Sequence, residues 1–121
     1  MATIAFEAWL DRTTPIEVAT PVYQSTTTTI NFTVLTAARA AKSLVGKTVK
    51  FAGRTVDDGV TLFDRVCTVT SAAGGLCSAA LTAANLANAG EYIGQLSVLE
   101  PGSPDTAEER VQFRFRVVEV L

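Results

Sequence analysis

Apolar side chains recur at every second position in several stretches of the chain, which is the pattern of half-buried β-strands. The clearest stretch lies near the C-terminus, where apolar residues from Val111 to Val117 alternate with Gln112, Arg114 and Arg116. Four more stretches place apolar or small residues on a single face: Ile30, Phe32 and Val34; Val49 and Phe51; Cys67 and Val69; Tyr92, Gly94, Leu96 and Val98. Each stretch predicts a strand with one buried and one exposed face.

Short segments rich in glycine, proline, serine and aspartate separate these strands, at residues 57–59, 71–75 and 101–105. Residues 83–89 are rich in alanine and predict a short helical turn, with Thr82 as its N-cap and Gly90 at its C-terminal end. Many short strands with turns between them are typical of two packed antiparallel sheets. The sequence therefore predicts an all-β, antiparallel, immunoglobulin-like sandwich with one short helical turn.

The first 27 residues form a second predicted unit, an N-terminal arm or edge segment that precedes a sandwich over residues 28–121. Pro15 and Pro21 interrupt this segment, and proline suits an edge strand better than a central one. Two interpretations of its large apolar side chains stay open: they pack on their own domain, or they bind a partner protein. The candidate partner-binding residues are Ile4, Phe6, Trp9, Leu10 and Tyr23.

Composition excludes several classes of function. The 121 residues include no histidine, which rules out histidine-dependent nucleophiles and most zinc sites. A net charge of -2 without a basic tract argues against nucleic-acid binding. The N-terminus lacks the pattern of a signal peptide, and no apolar run reaches the roughly 18 residues of a membrane span. We expect no enzyme activity, no cofactor, no metal, no small-molecule substrate and no membrane contact.

The two cysteines, Cys67 and Cys77, flank a predicted hairpin turn centred near Ala72. Equal counting from that turn places them opposite each other on two strands, so a cross-strand disulfide is geometrically conceivable. Two buried free thiols are the alternative, and a cytosolic site of synthesis favours it. Separately, Lys42, Lys47, Lys50, Arg54 and Arg65 predict a mildly basic face, which is either plain surface or one side of a subunit contact.

From Ile30 onward the order of short motifs resembles a known module. The matching pieces are the strand Ile30–Leu35, the strand entry Ser43–Phe51, a glycine turn after Cys67, the entry Leu81-Thr82 and the pair Gly90 and Tyr92. Together they are similar to the immunoglobulin-like N-terminal domain of the BppU family, the upper baseplate proteins of tailed bacteriophages. The resemblance covers roughly residues 28 to 121.

This resemblance implies a non-enzymatic structural subunit of a tailed-phage virion, in the tail or baseplate, that acts through protein–protein assembly. Its implied partners are copies of itself and other phage structural proteins, and its implied location is the virion, after synthesis in the host bacterial cytoplasm. A head decoration protein and a carbohydrate-binding adhesin domain on the same sandwich are the alternatives.

Overall fold

β-strands follow one another along almost the whole chain in the computed structural model, which describes residues 2–10, 14–36, 38–57, 59, 61–99 and 107–119. A single short 3₁₀ helix, Ala83–Leu86, lies among the described residues between the eighth and ninth strands. The strands are β1 (Ala2–Trp9), β2 (Ile16–Glu17), β3 (Val22–Tyr23), β4 (Thr28–Leu35), β5 (Thr48–Thr55), β6 (Thr61–Val66), β7 (Thr68–Ser71), β8 (Leu76–Leu81), β9 (Gly90–Leu99) and β10 (Ala107–Val118).

The strands form two sheets. One has the order β1-β4-β8-β7, and the other has the order β2-β10-β9-β5-β6, with β3 also paired to β10. We call them the four-stranded sheet and the large sheet. The inward side chains of both sheets build one shared core, which confirms the predicted all-β sandwich.

The N-terminal strands lie at the edges of these sheets. β1 pairs with β4 over its whole length, from Ala2↔Thr28 to Trp9↔Leu35. β2 and β3 then run along β10 at the edge of the large sheet. The chain thus returns along β10 before it enters β4, so β1 and β4 start at the same end of the sandwich. The pairing of β1 with β4 is therefore parallel, and β2 and β3 also run parallel to β10. The inner pairings are antiparallel, as the sequence predicted.

The predicted alternation of buried and exposed positions holds in the central strands. Phe113 and Phe115 of β10 are buried, and the arginines between and after them face outward. All six phenylalanines of the chain belong to one buried cluster: Phe6, Phe32, Phe51, Phe63, Phe113 and Phe115. Burial of six aromatic rings supplies a large part of the apolar area that this small domain removes from water.

The helical turn is shorter than predicted. Its N-cap is Thr82, whose hydroxyl accepts a hydrogen bond from the Asn85 amide at 3.3 Å while the Asn85 side chain accepts one from the Thr82 amide at 2.9 Å. The C-cap is Ala87, so the expectation that Gly90 ends this turn is wrong. Gly90 begins β9 instead, with a φ of 134° that an L side chain rarely adopts.

Candidate protein-interaction surface

Three of the five candidate partner-binding residues pack on their own domain. Phe6 is 3% exposed, and its ring lies 4.9 Å from the Phe113 ring and 5.6 Å from the Phe32 ring, between centroids. Leu10 is buried as well, and Ile4 packs against the core from a partly buried position. In this conformation these three side chains hold β1 on the sandwich and offer no anchor to a partner. Packing on their own domain is one of the two interpretations that the sequence left open, because alternation alone does not say which core a strand completes.

The other two candidates are more accessible. Trp9, at the end of β1, is partly buried, and the Arg39 guanidinium lies 4.3 Å from its ring centroid in a cation–π contact. Tyr23 of β3 is 55% exposed. Of the five candidates, Tyr23 is therefore the one whose side chain is open to a neighbouring molecule.

Cys67 and Cys77 are free, buried thiols. They do not lie directly opposite each other: Cys77 faces Val69, because the hairpin closes at the pair Ser71 and Leu76 and its centre therefore lies after Ala72. Cys67 sits at the crossing from β6 to β7, and its thiol is hydrogen-bonded to that of Cys77. This hydrogen bond and burial raise the pKa of Cys67 well above its usual range, so Cys67 stays protonated at neutral pH.

The outer face of the large sheet carries positively charged side chains on β5 and β10. Register places ten outward residues side by side on three strands, and we call this set the β5–β9–β10 face: Lys50, Ala52, Arg54, Ile93, Gln95, Ser97, Arg110, Gln112, Arg114 and Arg116. Five of the ten carry a positive charge, on a chain with ten basic residues in all and a net charge of -2.

The positive residues of this face form two lines. Lys50 and Arg54 lie on β5, and Arg110, Arg114 and Arg116 lie on β10. Between them runs β9, because Ser97 pairs with both Lys50 and Arg110 and Ile93 pairs with both Arg54 and Arg114. On this strand the outward residues Ile93, Gln95 and Ser97 are neutral, and Glu91, beside Arg116, is acidic. Neighbouring strands are about 4.8 Å apart, so the two basic lines are roughly 10 Å apart.

Acidic neighbours compensate part of this charge. Nε of Arg114 donates to Oε2 of Glu91 at 3.2 Å, and the Arg114 Nη2 group donates to the same oxygen. These contacts hold the pKa of Glu91 below its usual range, so Glu91 stays ionised as the pH falls. Lys50 lies 3.7 Å from the Asp64 carboxylate of β6. Among the described residues, neither Arg54, Arg110 nor Arg116 has an acidic side chain within ion-pair distance.

Amide side chains occupy the middle of the face. Gln112 donates to Gln95 at 3.3 Å, and Gln95 donates in turn to Ser97 at 3.5 Å. Two shallow depressions flank this row. One, of about 160 Å³, is lined by Arg54 and Ile93 and the other, of about 260 Å³, by Lys50 and Arg110. Both are smaller than the roughly 300–1,000 Å³ of a typical small-molecule pocket. A broad, shallow, polar surface of this kind suits contact with another macromolecule.

The outer face of the four-stranded sheet is different in character. Its outward residues on β4, β7 and β8 are uncharged, and most are small: Thr29, Asn31, Thr33, Thr68, Thr70, Leu76, Ser78 and Ala80. Glu7 of β1 is the acidic residue exposed on this side. The two faces of the sandwich therefore present different chemistry to any partner, with positive charge concentrated on one of them.

Sequence analysis found this charge only in part. Of the five basic residues it grouped, Lys50 and Arg54 lie on the β5–β9–β10 face. Arg65 instead donates to the backbone carbonyl of Ala80 at 3.2 Å, beside the other sheet. The group left out the arginines of β10, although their alternation with the buried residues of that strand already placed them on one outward face.

The described residues contain no group of three or more histidine, cysteine, aspartate or glutamate side chains that could hold a metal ion. Within the described ranges, no helix is long and apolar enough to cross a membrane.

Comparison with known proteins gives a match in structure and none in sequence. No family model matches the chain, and no curated protein matches its sequence. Among solved structures, the fold is similar to the N-terminal domain of phage TP901-1 ORF48, with a TM-score of 0.72 and 12% sequence identity over 100% of both chains. At this identity the likeness shows a shared fold, and the match covers the sandwich from its first strand to its last.

Proposed function

We propose that this chain is a non-enzymatic structural subunit of a tailed-phage virion, in the tail or baseplate, that acts by binding other proteins of the particle. The observation that carries the proposal is the full-length structural match to a domain of a phage protein. It agrees with the separate resemblance of the segment after Ile30 to the upper-baseplate family, which rests on short sequence motifs.

The described surface supports binding over catalysis. Its depressions are shallow, and its ionisable groups lie along an open sheet face instead of converging in a cleft. A carbohydrate-binding adhesin would expose aromatic rings for stacking on sugars. All six phenylalanines and Tyr92 are buried here, and Trp9 is covered by Arg39, which leaves Tyr23 as the exposed ring. These observations favour a protein partner.

Fractionation of purified phage particles tests the proposal. An affinity-tagged copy of the gene replaces the original, the particles are purified and dissociated into heads and tails, and each fraction is analysed by mass spectrometry. We expect the chain in the tail fraction. Its presence in the head fraction alone would favour a head decoration protein, and its absence from particles would overturn the structural role. Binding of the isolated domain to host-cell glycans would favour the adhesin.

A further inference from the structure

We propose that the β5–β9–β10 face docks an extended acidic segment of a neighbouring protein in the particle. This inference rests on the proposed function for the identity of the partner, but the surface itself is argued from charge and register. The face concentrates half of the chain's ten basic residues on three strands, while the chain as a whole is acidic. Such a separation of charge attracts an oppositely charged partner and fixes its orientation.

The geometry of the two basic lines suits an extended chain that runs parallel to β9. Lys50 and Arg54 are four residues apart on β5, and Arg110 and Arg114 are four residues apart on β10. In a strand this separation is about 13 Å, which is also the distance between side chains four residues apart in any extended segment. Carboxylates of a docked segment can therefore meet both basic lines, while its backbone lies over Ser97, Gln95 and Ile93.

Three arginines are available for these contacts. Arg54 is half-buried and its guanidinium donates at 3.4 Å to the backbone carbonyl of Thr55, while Arg110 and Arg116 are exposed. The structure gives none of the three an ion pair among the described residues. Arginine donates two parallel hydrogen bonds to a carboxylate, which makes it the stronger partner for an acidic side chain. In contrast, Arg114 and Lys50 already contact acidic side chains.

The same face is poorly suited to a nucleic acid. Glu91 lies next to Arg114 and Arg116 in the pairing of β9 with β10, and Asp64 lies next to Ala52 in the pairing of β5 with β6. A phosphate backbone carries a charge on every nucleotide and would meet both carboxylates, whereas an acidic protein segment can place uncharged residues opposite them. The ten residues of the face include no aromatic side chain on which a base could stack. A protein segment with spaced carboxylates can bind the arginines while Glu91 stays paired with Arg114 and Asp64 with Lys50.

Two matched triple variants test the surface. The first is Arg54→Gln, Arg110→Gln and Arg116→Gln, which removes three positive charges from the β5–β9–β10 face. The control is Asn31→Glu, Thr68→Glu and Thr70→Glu, which makes the same change in net charge on exposed positions of the four-stranded sheet. Circular dichroism verifies that both variants keep the fold of the wild-type protein.

The probe is a fluorescein-labelled peptide of alternating glutamate and serine, with a lysine–serine peptide and single-stranded oligothymidylate as comparisons. Fluorescence anisotropy at low salt should show binding of the glutamate peptide to wild type, roughly tenfold weaker binding to the arginine variant, and near wild-type binding to the control. NMR amide shifts on wild type should concentrate at Gln95, Ser97 and Gln112. Equal weakening in both variants, or tighter binding of oligothymidylate, would overturn the proposal.

Incorporation into particles separates this inference from the proposed function. If wild type and control enter particles and the arginine variant does not, the face is the docking surface in the assembly. If all three enter particles equally, the docking surface lies elsewhere although the structural role stands. If wild type itself is absent from particles, the proposed function fails, and the peptide measurements alone decide what the face binds.

Discussion

The ring of Phe51 occupies the space where a side chain at Gly94 would lie. A Cβ placed on Gly94 would sit 2.4 Å from Cζ of Phe51 and 3.2 Å from Cε1 of Phe115. Gly53, which pairs directly with Gly94, stands in the same relation to Phe63, whose Cζ would lie 2.1 Å from an added Cβ. Two adjacent glycines on the inner face of the large sheet thus make room for the phenylalanine cluster between the sheets.

Gly94→Ala should therefore destabilise the domain, because the added methyl group overlaps the rings of Phe51 and Phe115. We expect a loss of about 1–3 kcal/mol in the free energy of unfolding, measured by urea denaturation. The double variant with Phe51→Leu tests whether this overlap is the cause. Its loss in the free energy of unfolding should be smaller than the sum of the losses of the two single variants. Additive losses would mean that the overlap is relieved elsewhere.

Phe6→Ala tests whether β1 belongs to this domain's own core. Phe6 contacts Phe32 within its own sheet and Phe113 of the large sheet, so its truncation should cost about 3–5 kcal/mol through lost burial and the cavity left behind. Tyr23→Ala, at a largely exposed aromatic of the same N-terminal segment, should change stability by less than about 0.5 kcal/mol. Thermal and urea unfolding of the purified variants measures both.

Deletion of residues 2–25 is the stronger form of the same test. It removes Phe6, Ala8, Leu10 and Val22 from the core and uncovers the edges of β4 and β10, so we expect a chain that does not fold. A truncated chain with a β-sheet spectrum and a cooperative unfolding transition would show that the segment is a separable arm. The contact surface would then have to be sought on that arm.

The sequence predicted the central strands well because each has one solvent-exposed and one buried face, which gives its polar and apolar residues a period of two. In β10, Phe113 and Arg114 are neighbours in sequence with opposite burial. The sequence did not predict where β1 goes, since the alternation around Phe6 is the same in an arm and in an edge strand. Its parallel pairing with β4 depends on the intervening passage along β10, which no local pattern encodes.

Two other features could not be predicted from the sequence because they depend on the register of the strands. The offset of Cys67 from Cys77 arises because the β7–β8 hairpin closes at the pair Ser71 and Leu76, so its centre lies after Ala72, from which the sequence-based count started. The β5–β9–β10 face joins Arg54 to Arg114 through Ile93, and these arginines are 60 positions apart in the chain (114 − 54). Only the register of the sheet brings them together.

The cysteines should behave as protected thiols. Both thiols are buried from the reagent, and the hydrogen bond to Cys77 together with burial raises the pKa of Cys67, so that this residue forms little of the reactive thiolate at neutral pH. A chromogenic thiol reagent should label the native protein slowly and the urea-unfolded protein quickly, with two thiols released. A reductant should leave the melting temperature unchanged. A clear fall in that temperature under reductant would instead reveal a disulfide.

Tyr92 should make the domain sensitive to alkaline pH. Burial raises its pKa above the usual value of 10.0, although the hydroxyl donates a hydrogen bond of 2.6 Å to the Asn88 carbonyl. The folded state therefore retains this proton more tightly than the unfolded state does. The resulting stability is present below about pH 10 and is lost as the pH rises towards the folded-state pKa.

Tyr92→Phe isolates this effect. At neutral pH the variant should lose about 1 kcal/mol with the hydrogen bond to Asn88, and its stability should then fall less steeply than that of wild type above pH 10. Tyr23→Phe, at an exposed position, is the matched control and should follow the wild-type profile. Urea unfolding between neutral pH and pH 11 measures all three. If the free energy of unfolding falls equally steeply above pH 10 in wild type and in Tyr92→Phe, other groups cause the decline.

A cryo-electron microscopy map of the assembled particle at side-chain resolution would test both the structural role and the docking surface. We expect density for this sandwich in the tail, with Arg54, Arg110 and Arg116 covered by acidic side chains of an adjacent protein. A map that places the sandwich in the tail but leaves this face in solvent would contradict the proposed docking surface. A map of the complete particle without the sandwich would contradict the structural role itself.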